Sequence, residues 1–359
     1  NAAISACGKR GHWTLATELL GYMANLRIAP NVVSCSAAIG ACQKGGRWRP
    51  SVALLLAMAE LHLVPNVISY GGAMSSCERA GRGQRALDLL ASMSKVRARP
   101  DVISCNSVLS ACASTREKGA GWTCALSLFD STLALGIGCD DVGCSAAMSA
   151  CEKSGEWGAA LTLLDSLPTR RLAPGTVSCS AAVSACEKVG HWRLGLALLS
   201  AMLEITVELD VIACNAAISA CEKGGEWCTA RKLLGAMPRL RVAPDVVSCN
   251  AAMSACEKGG QWRSAMGLFG STRELRVAPD LISHNAAVSA CEKCGQWRVV
   301  LRLLSSMAAR FITPNVVSYS AVISALAVPG GWEQASALLF HMPVIGVRPD
   351  LVSCNAAIS

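Results

Sequence analysis

The sequence contains no run of about 18 apolar residues, although apolar side chains make up 52% of its 359 residues. Ser, Gly, Lys or Glu interrupts them every few positions, which argues against a membrane span. Histidine is scarce: His12, His62, His191, His284 and His341 fall at scattered places and form no H-E-x-x-H string or Ser/His/Asp pattern. An H-x-E element with a P-C-x-x-C partner, the signature of a zinc deaminase, is also missing. The chain is therefore read as a non-enzyme with no cofactor and no metal. It lacks an initiating Met, begins inside the string "NAAISAC" and ends inside "NAAIS". It reads as a fragment of a longer protein, with any targeting segment upstream.

What the sequence has in abundance is itself. "NAAIS" at Asn1 returns at Asn215 and at Asn355; the last two are 140 residues apart, four periods of 35. The interval from Asn1 to Asn215 holds six periods and four extra residues, which fall at Ala113 to Arg116, where "CASTREKGAGW" replaces the usual "CEKGGEW". A frame that starts just before the "V-S-C-N" string gives full units at 32–66, 67–101, 102–140, 141–175, 176–210, 211–245, 246–280, 281–315 and 316–350. Partial units occupy 1–31 and 351–359, and no linker or second domain interrupts the single array 1–359.

In unit 211–245, "ACNAAISACEKGG" predicts a short helix ended by glycine. Trp227, Ala230, Leu233, Leu234 and Met237 then recur at helical spacing and predict a second, amphipathic helix. Pro244 closes the unit, because it cannot continue a helix. One hairpin has nothing against which to bury its apolar stripe, so neighbours must stack. The fold class expected is all-α: an α-solenoid of stacked helix-turn-helix hairpins.

Twenty cysteines invite a search for disulfides or metal sites, but the frame accounts for most of them. Nine sit at position 11 of a unit and seven at position 4, one face of the first helix, where a free thiol packs as a small hydrophobe. A reducing compartment follows from that reading. The lone C-x-x-C, Cys291 with Cys294, has no second pair to complete a zinc site. All nine Trp occupy position 17. They open the second helix's apolar stripe and are expected in the interhelical core; the alternative is stacking on bases.

The consensus V-V-S-C-N-A-A-I-S-A-C-E-K-G-G-x-W-x-x-A-x-x-L-L-x-x-M-x-x-x-x-V-x-P-D resembles the pentatricopeptide repeat (PPR) over essentially the whole chain. "VVSCN" (246–250), "EKGG" (257–260) and "VAPD" (242–245) carry the likeness. Tetratricopeptide repeats share the hairpin but have a 34-residue period. The resemblance implies a right-handed superhelix that binds single-stranded RNA, one base per repeat. It implies that positions 5 and 35 of a unit face the base while the aliphatic at position 2 packs on its ring. Asn106 with Asp140, Asn215 with Asp245 and Asn250 with Asp280 then resemble uracil readers. Ser180 with Asp210 and Ser320 with Asp350 resemble guanine readers, and Ser36 with Asn66 an adenine reader. Asn1 with Asn31 and Asn285 with Asn315 resemble pyrimidine readers. Gly71 with Asp101 and Ser145 with Gly175 depart from the pattern and receive no base. The implied target, 5′ to 3′, is pyrimidine-A-n-U-n-G-U-U-pyrimidine-G.

The ring-packing residues would be Val33, Ile68, Ile103, Val142, Val177, Ile212, Val247, Ile282 and Val317. Position 13 is basic almost throughout, at Lys9, Lys44, Arg79, Lys118, Lys153, Lys188, Lys223, Lys258 and Lys293. In the family this lysine approaches phosphates, which suits a chain of net charge +8. The last full unit has Val328 there. Each reader also has a plainer explanation, since Asn and Ser are favoured helix caps, and each lysine complements a helix C-terminus. Position 5 nonetheless alternates among Asn, Ser and Gly while its neighbours hardly change, as information-bearing sites would. Two functions follow: an RNA-binding protein, for which the resemblance implies organellar RNA processing, stabilisation or translation in a mitochondrion or chloroplast, or a helical scaffold holding a protein or peptide in its groove. Protein partners would act through flanking regions outside the fragment.

Overall fold

The computed structural model describes residues 2–26, 28–96, 98–115, 121–134, 136–138, 140–170, 172–327 and 331–358. Among them are twenty-one α-helices and two single 3-10 turns, Pro168–Arg170 and Pro343–Ile345, with no strand. Asn1, Arg116, Lys118 and Val328 lie outside the described residues. Packing divides the chain into two compact units, residues 1–185 and 186–359.

In residues 1–185 the first helices of successive repeats stack directly: Ala2–Arg10 on Val32–Lys44, then Val67–Arg79, Val102–Ala113 and Asp141–Ser154. The second helices, such as Trp48–Glu60 and Gly83–Lys95, pack between consecutive first helices. Residues 186–359 repeat the scheme with Val211–Lys223, Val246–Lys258, Leu281–Glu292, Val316–Ala325 and Leu351–Ile358. Each unit is thus a run of α-solenoid hairpins, the fold class that the 35-residue period predicts. No helix among the described residues is long and apolar enough to cross a membrane.

The first helix is packed on more than one side, which explains its small side chains. Val211–Lys223 buries Ala213, Cys214, Ala216, Ala217, Ile218, Ala220 and Cys221, sandwiched between neighbours on both sides. The position-4 and position-11 cysteines are core residues, apart from Cys7 and Cys354 at the chain ends, which are half-buried. Burial pushes the Cys214, Cys221 and Cys256 thiols up to about 11, so they behave as neutral hydrophobes.

The tryptophans flank the core rather than fill it: Trp13, Trp192, Trp227, Trp262 and Trp297 pack against buried clusters without being buried themselves. They are half-buried, and Trp332 is 67% exposed. The buried start of the second helix is position 20, filled by Ala16, Ala86, Ala160, Ala230 and Ala265. The indole instead lies against the next repeat's Gly-Gly stop. A Cβ on Gly259 would stand 2.6 Å from Trp227 Cδ1, and one on Gly224 2.4 Å from Trp192 Cδ1. The second glycine has a different reason: Gly260 turns at φ +63°, where an L side chain is disfavoured. There Gln261 N–H closes onto the Cys256 carbonyl at 2.9 Å and ends the helix. The outer faces of several indoles carry arginine, as with Arg263 over Trp262 at 5.3 Å and Arg298 over Trp297 at 5.1 Å.

Candidate functional site

Most first helices begin two residues after a proline, Asp141–Ser154 and Val211–Lys223 being exceptions. Residue 35 of the preceding repeat caps them except at Thr176–Val189, where Gly175 has no side chain to do so. Asp245 takes an extended backbone at φ −113° and accepts the Ser248 N–H on Oδ1 at 2.8 Å, while the Ser248 hydroxyl accepts the Asp245 N–H at 2.8 Å. This reciprocal cap satisfies helix donors that have no intrahelical partner. Asn31, Asn66, Asp101, Asp140, Asp210, Asp280, Asn315 and Asp350 accept the same N–H in their repeats. The capping explanation of position 35 is therefore correct as far as it goes.

Four of these side chains, Asp140, Asp245, Asp280 and Asn315, also reach back to position 5 of their own repeat. Asn106 Nδ2 donates to Asp140 Oδ1 at 2.8 Å, and Asn215 Nδ2 to Asp245 Oδ1 and Oδ2 at 3.1 and 3.2 Å. Asn250 Nδ2 donates to Asp280 Oδ1 at 3.2 Å, and Asn285 Nδ2 to Asn315 Oδ1 at 3.5 Å. Residues 30 or 34 apart in sequence thus form one polar pair. Partial burial raises the Asp140, Asp245 and Asp280 carboxyls, but hydrogen bonds from the cap amide and from Asn106, Asn215 and Asn250 outweigh it. The net effect holds all three below the ordinary carboxylate value, ionised at neutral pH.

The serine readers are arranged differently. Ser36 Oγ meets Ser69 Oγ at 2.8 Å, and Ser69 in turn donates to Asn66 Oδ1 at 2.9 Å, so the pair is joined through a third residue. Ser145, Ser180 and Ser320 turn their hydroxyls to the carbonyls of Asp141, Thr176 and Val316 in their own helices. Gly71 and Gly175 bring no side chain.

Beside the readers, Val33, Ile68, Ile103, Val142, Val177, Ile212, Val247, Ile282 and Val317 are all between 56% and 72% exposed. One large aliphatic side chain per repeat stands in solvent at the same register, although the same helices bury most of their other apolar residues. In repeats 102–140, 211–245, 246–280 and 281–315 it shares its helix with a reader paired to residue 35. A single exposed valine needs no explanation, whereas one recurring at the same register does.

The basic position holds a feature that sequence reading missed. Lys223, Lys258 and Lys293 each pair at 3.0 Å with the glutamate at position 12 of the preceding repeat: Glu187, Glu222 and Glu257. In residues 1–185, Lys44 and Arg79 instead donate to the carbonyls of Lys9 and Lys44, one repeat back. Lys9, Lys153 and Lys188 are exposed. The recurring "E-K" dipeptide was the available signal; its partners lie 36 residues apart and look like adjacent charges in the sequence. The position-3 serine was also missed. Its signal is its recurrence at 34, 69, 104, 178, 248, 283, 318 and 353.

No group of three or more metal-binding side chains is present among the described residues. No curated protein matches the chain. Among solved structures, PPR10 with three cysteine-to-serine substitutions, in complex with an 18-nt psaJ RNA element, matches at TM-score 0.57. The identity is 18%, covering 91% of this chain and 52% of that one. PPR10 with the same RNA element matches at TM-score 0.56 and 17% identity, covering 99% and 56%. A structure of PPR10 from maize gives TM-score 0.48 at 17% identity, covering 100% and 60%. At such identity the likeness is one of fold, and this chain spans little more than half the length of those proteins. The sequence itself goes further. The pentatricopeptide repeat domain matches residues 53–115, 197–259, 232–294 and 302–359, and the PPR repeat matches residues 1–28. With more than half of its length so matched and its hairpins stacked as the period requires, the chain belongs to the pentatricopeptide repeat family.

Proposed function

We propose that the chain binds single-stranded RNA in a sequence-specific manner, one base per repeat, and acts in organellar RNA processing, stabilisation or translation. The observation that carries this reading is an exposed aliphatic at position 2 of each full repeat, joined in repeats 102–140, 211–245, 246–280 and 281–315 by a hydrogen-bonded pair from positions 5 and 35. An apolar surface accepts the face of a base, and an amide beside a carboxylate offers both a donor and an acceptor to its edge. A polar edge left unpaired on desolvation costs about 1–3 kcal/mol, enough to separate one base from another. RNA is also what the PPR10 structures hold. The array reads 1–359 as consecutive units, with Lys9, Lys44, Arg79, Lys118, Lys153, Lys188, Lys223, Lys258 and Lys293 contacting phosphates. A mitochondrion or chloroplast is the compartment that family membership suggests.

The test is a titration of the purified chain with the ten-nucleotide RNA pyrimidine-A-n-U-n-G-U-U-pyrimidine-G, a scrambled RNA and the DNA equivalent, over a range of salt. The expected result is a strong preference for the matching RNA. It weakens in the double variant Asn215→Ser and Asn250→Ser and returns when G replaces the two facing U positions. Equal weak binding to all three nucleic acids would overturn the proposal.

A further inference from the structure

An asparagine amide has two chemically different ends, and a half-turn about its last side-chain bond exchanges them. Facing a base, one end donates an N–H and the other accepts on a carbonyl. In repeat 246–280 both ends of Asn250 are engaged. The hydroxyl of Ser283, at position 3 of the next repeat, is shared between Asn250 Oδ1 at 2.5 Å and Asp280 Oδ1 at 2.9 Å, while Asn250 Nδ2 donates to Asp280. Asn285 is held the same way, by the Ser318 hydroxyl at 2.7 Å and Asn315.

The other two paired asparagines lack this lock. Asn106 faces Gly143 where the serine would be. Ser248 stands in the right place for Asn215 but gives its hydroxyl to the Asp245 carbonyl and carboxylate, each at 2.9 Å. In both repeats the asparagine Oδ1 is buried with no hydrogen-bond partner. The converse occurs at Gly71, where the reader has no side chain: Ser104 Oγ is buried without a partner. A Cβ built on Gly71 would stand 3.9 Å from that oxygen. The hydroxyl and the amide therefore behave as a matched pair, each left unsatisfied when the other is absent or turned away.

We propose that the position-3 serine of the following repeat is a positioning residue that sharpens specificity by holding the carbonyl end of the Asn amide, whose NH2 end residue 35 already holds. In repeats 246–280 and 281–315 the amide is held at both ends; in repeats 102–140 and 211–245 it is held at Nδ2 alone, with Oδ1 left without a partner. This rests on the base-reading function proposed above. An amide held at both ends keeps one position against the base and discriminates sharply; one held at a single end shifts more readily and discriminates less.

The experiment compares wild type, Ser283→Ala and Ser283→Thr against four RNAs that differ only at the nucleotide facing repeat 246–280. Ser248→Ala is measured in the same way at the nucleotide facing repeat 211–245. Ser248 is the matched control, because it closes the same capping box as Ser283 yet does not touch its asparagine. Ser283→Ala is expected to reduce discrimination at its nucleotide about fivefold, the equivalent of one ordinary hydrogen bond. Ser283→Thr retains it. Ser248→Ala lowers the thermal midpoint as Ser283→Ala does, without changing discrimination at its own nucleotide. The inference is overturned if Ser283→Ala discriminates like wild type, or if Ser248→Ala loses as much. Wild-type binding without any base preference would bring down the base-reading function itself, and this inference with it.

Discussion

Replacing Asp245 by Asn separates the two tasks of one carboxylate. Asp245 caps Val246–Lys258 through the Ser248 N–H and holds Asn215 through both carboxylate oxygens. Asn and Asp are comparable N-caps, so Asp245→Asn keeps the cap and Asp245→Ala loses it, at about 1 kcal/mol. A hydrogen bond to a charged acceptor is worth about 1.5–3 kcal/mol and a neutral one about 0.5–1.5, so the Asn215 pair weakens by roughly 1 kcal/mol. Repeat 281–315 already contains this neutral pair, Asn285 with Asn315, at the longer distance of 3.5 Å. Stability in Asp245→Asn is therefore expected within about 1 kcal/mol of wild type, while the acceptor presented to the base loses its charge. At the nucleotide facing repeat 211–245 the preference for U over C should fall by about fivefold or more, since the unpaired edge is worth about 1–3 kcal/mol. The assay is fluorescence anisotropy with four RNAs varied at that nucleotide, beside urea unfolding of each variant. Because Asp245 is held below its ordinary value, its contribution to stability is complete at neutral pH and is lost only as pH falls through that lowered value. If Asp245→Asn and Asp245→Ala weaken all four RNAs alike, in proportion to lost stability, Asp245 is a cap and nothing more.

Glu222→Gln releases Lys258 from its 3.0 Å ion pair; an exposed pair contributes only about 0–1 kcal/mol to stability, so the main change expected is in RNA binding, with the salt slope steeper by about 0.7. An unchanged slope would remove Lys258 from the phosphate contacts. Gly259→Ala drives a Cβ to 2.6 Å from Trp227 and should destabilise by about 1–2 kcal/mol, overpacking outweighing the entropy gained; a variant as stable as wild type in urea would show that the indole is free to move. His284 is fully buried, edge-on to Phe269 at 4.8 Å, and burial lowers its pKa despite the Asp280 carbonyl on Nδ1. Its stability contribution is intact above the ordinary histidine value and drains away as pH falls toward the lowered folded value. His284→Cys, the residue usual at that position, should flatten the thermal midpoint between neutral and mildly acidic pH; an equally steep decline would place the titrating group elsewhere. Brief alkylation of the folded chain, read by mass spectrometry, should mark half-buried Cys7, Cys124, Cys228, Cys294 and Cys354 before the buried thiols, among them Cys112, pushed up to about 12; labelling of Cys112 at the same rate would contradict the packing.

The hairpin and its period are legible because local signals coincide with the tertiary requirement: "EKGG" stops a helix whatever surrounds it, and Pro244 starts the next. The cysteines are legible for the same reason, since a seven-residue spacing fixes a helical face. The tryptophans mislead because periodicity reports which side of a helix is apolar and not how deeply it is covered. Trp227 lies on the apolar side, yet it abuts a glycine where the first helix of the neighbouring repeat ends. The pairings of Glu222 with Lys258 and of Ser283 with Asn250 join residues about one period apart. In a repeating sequence such residues are indistinguishable from many other equally spaced pairs. Only the stacking selects the partner.

Residue 35 closes one repeat, caps the next and touches the reader of the first, and the position-3 hydroxyl that can lock that reader belongs to the next repeat as well. The unit that would face a nucleotide is therefore out of phase with the 35-residue unit of sequence. It begins at position 2 of one repeat and ends at position 3 of its successor. A graft cut at the sequence boundary would carry Asn250 and Asp280 but leave Ser283 behind. To move a reading site intact, the transplanted segment has to include the opening turn of the following helix.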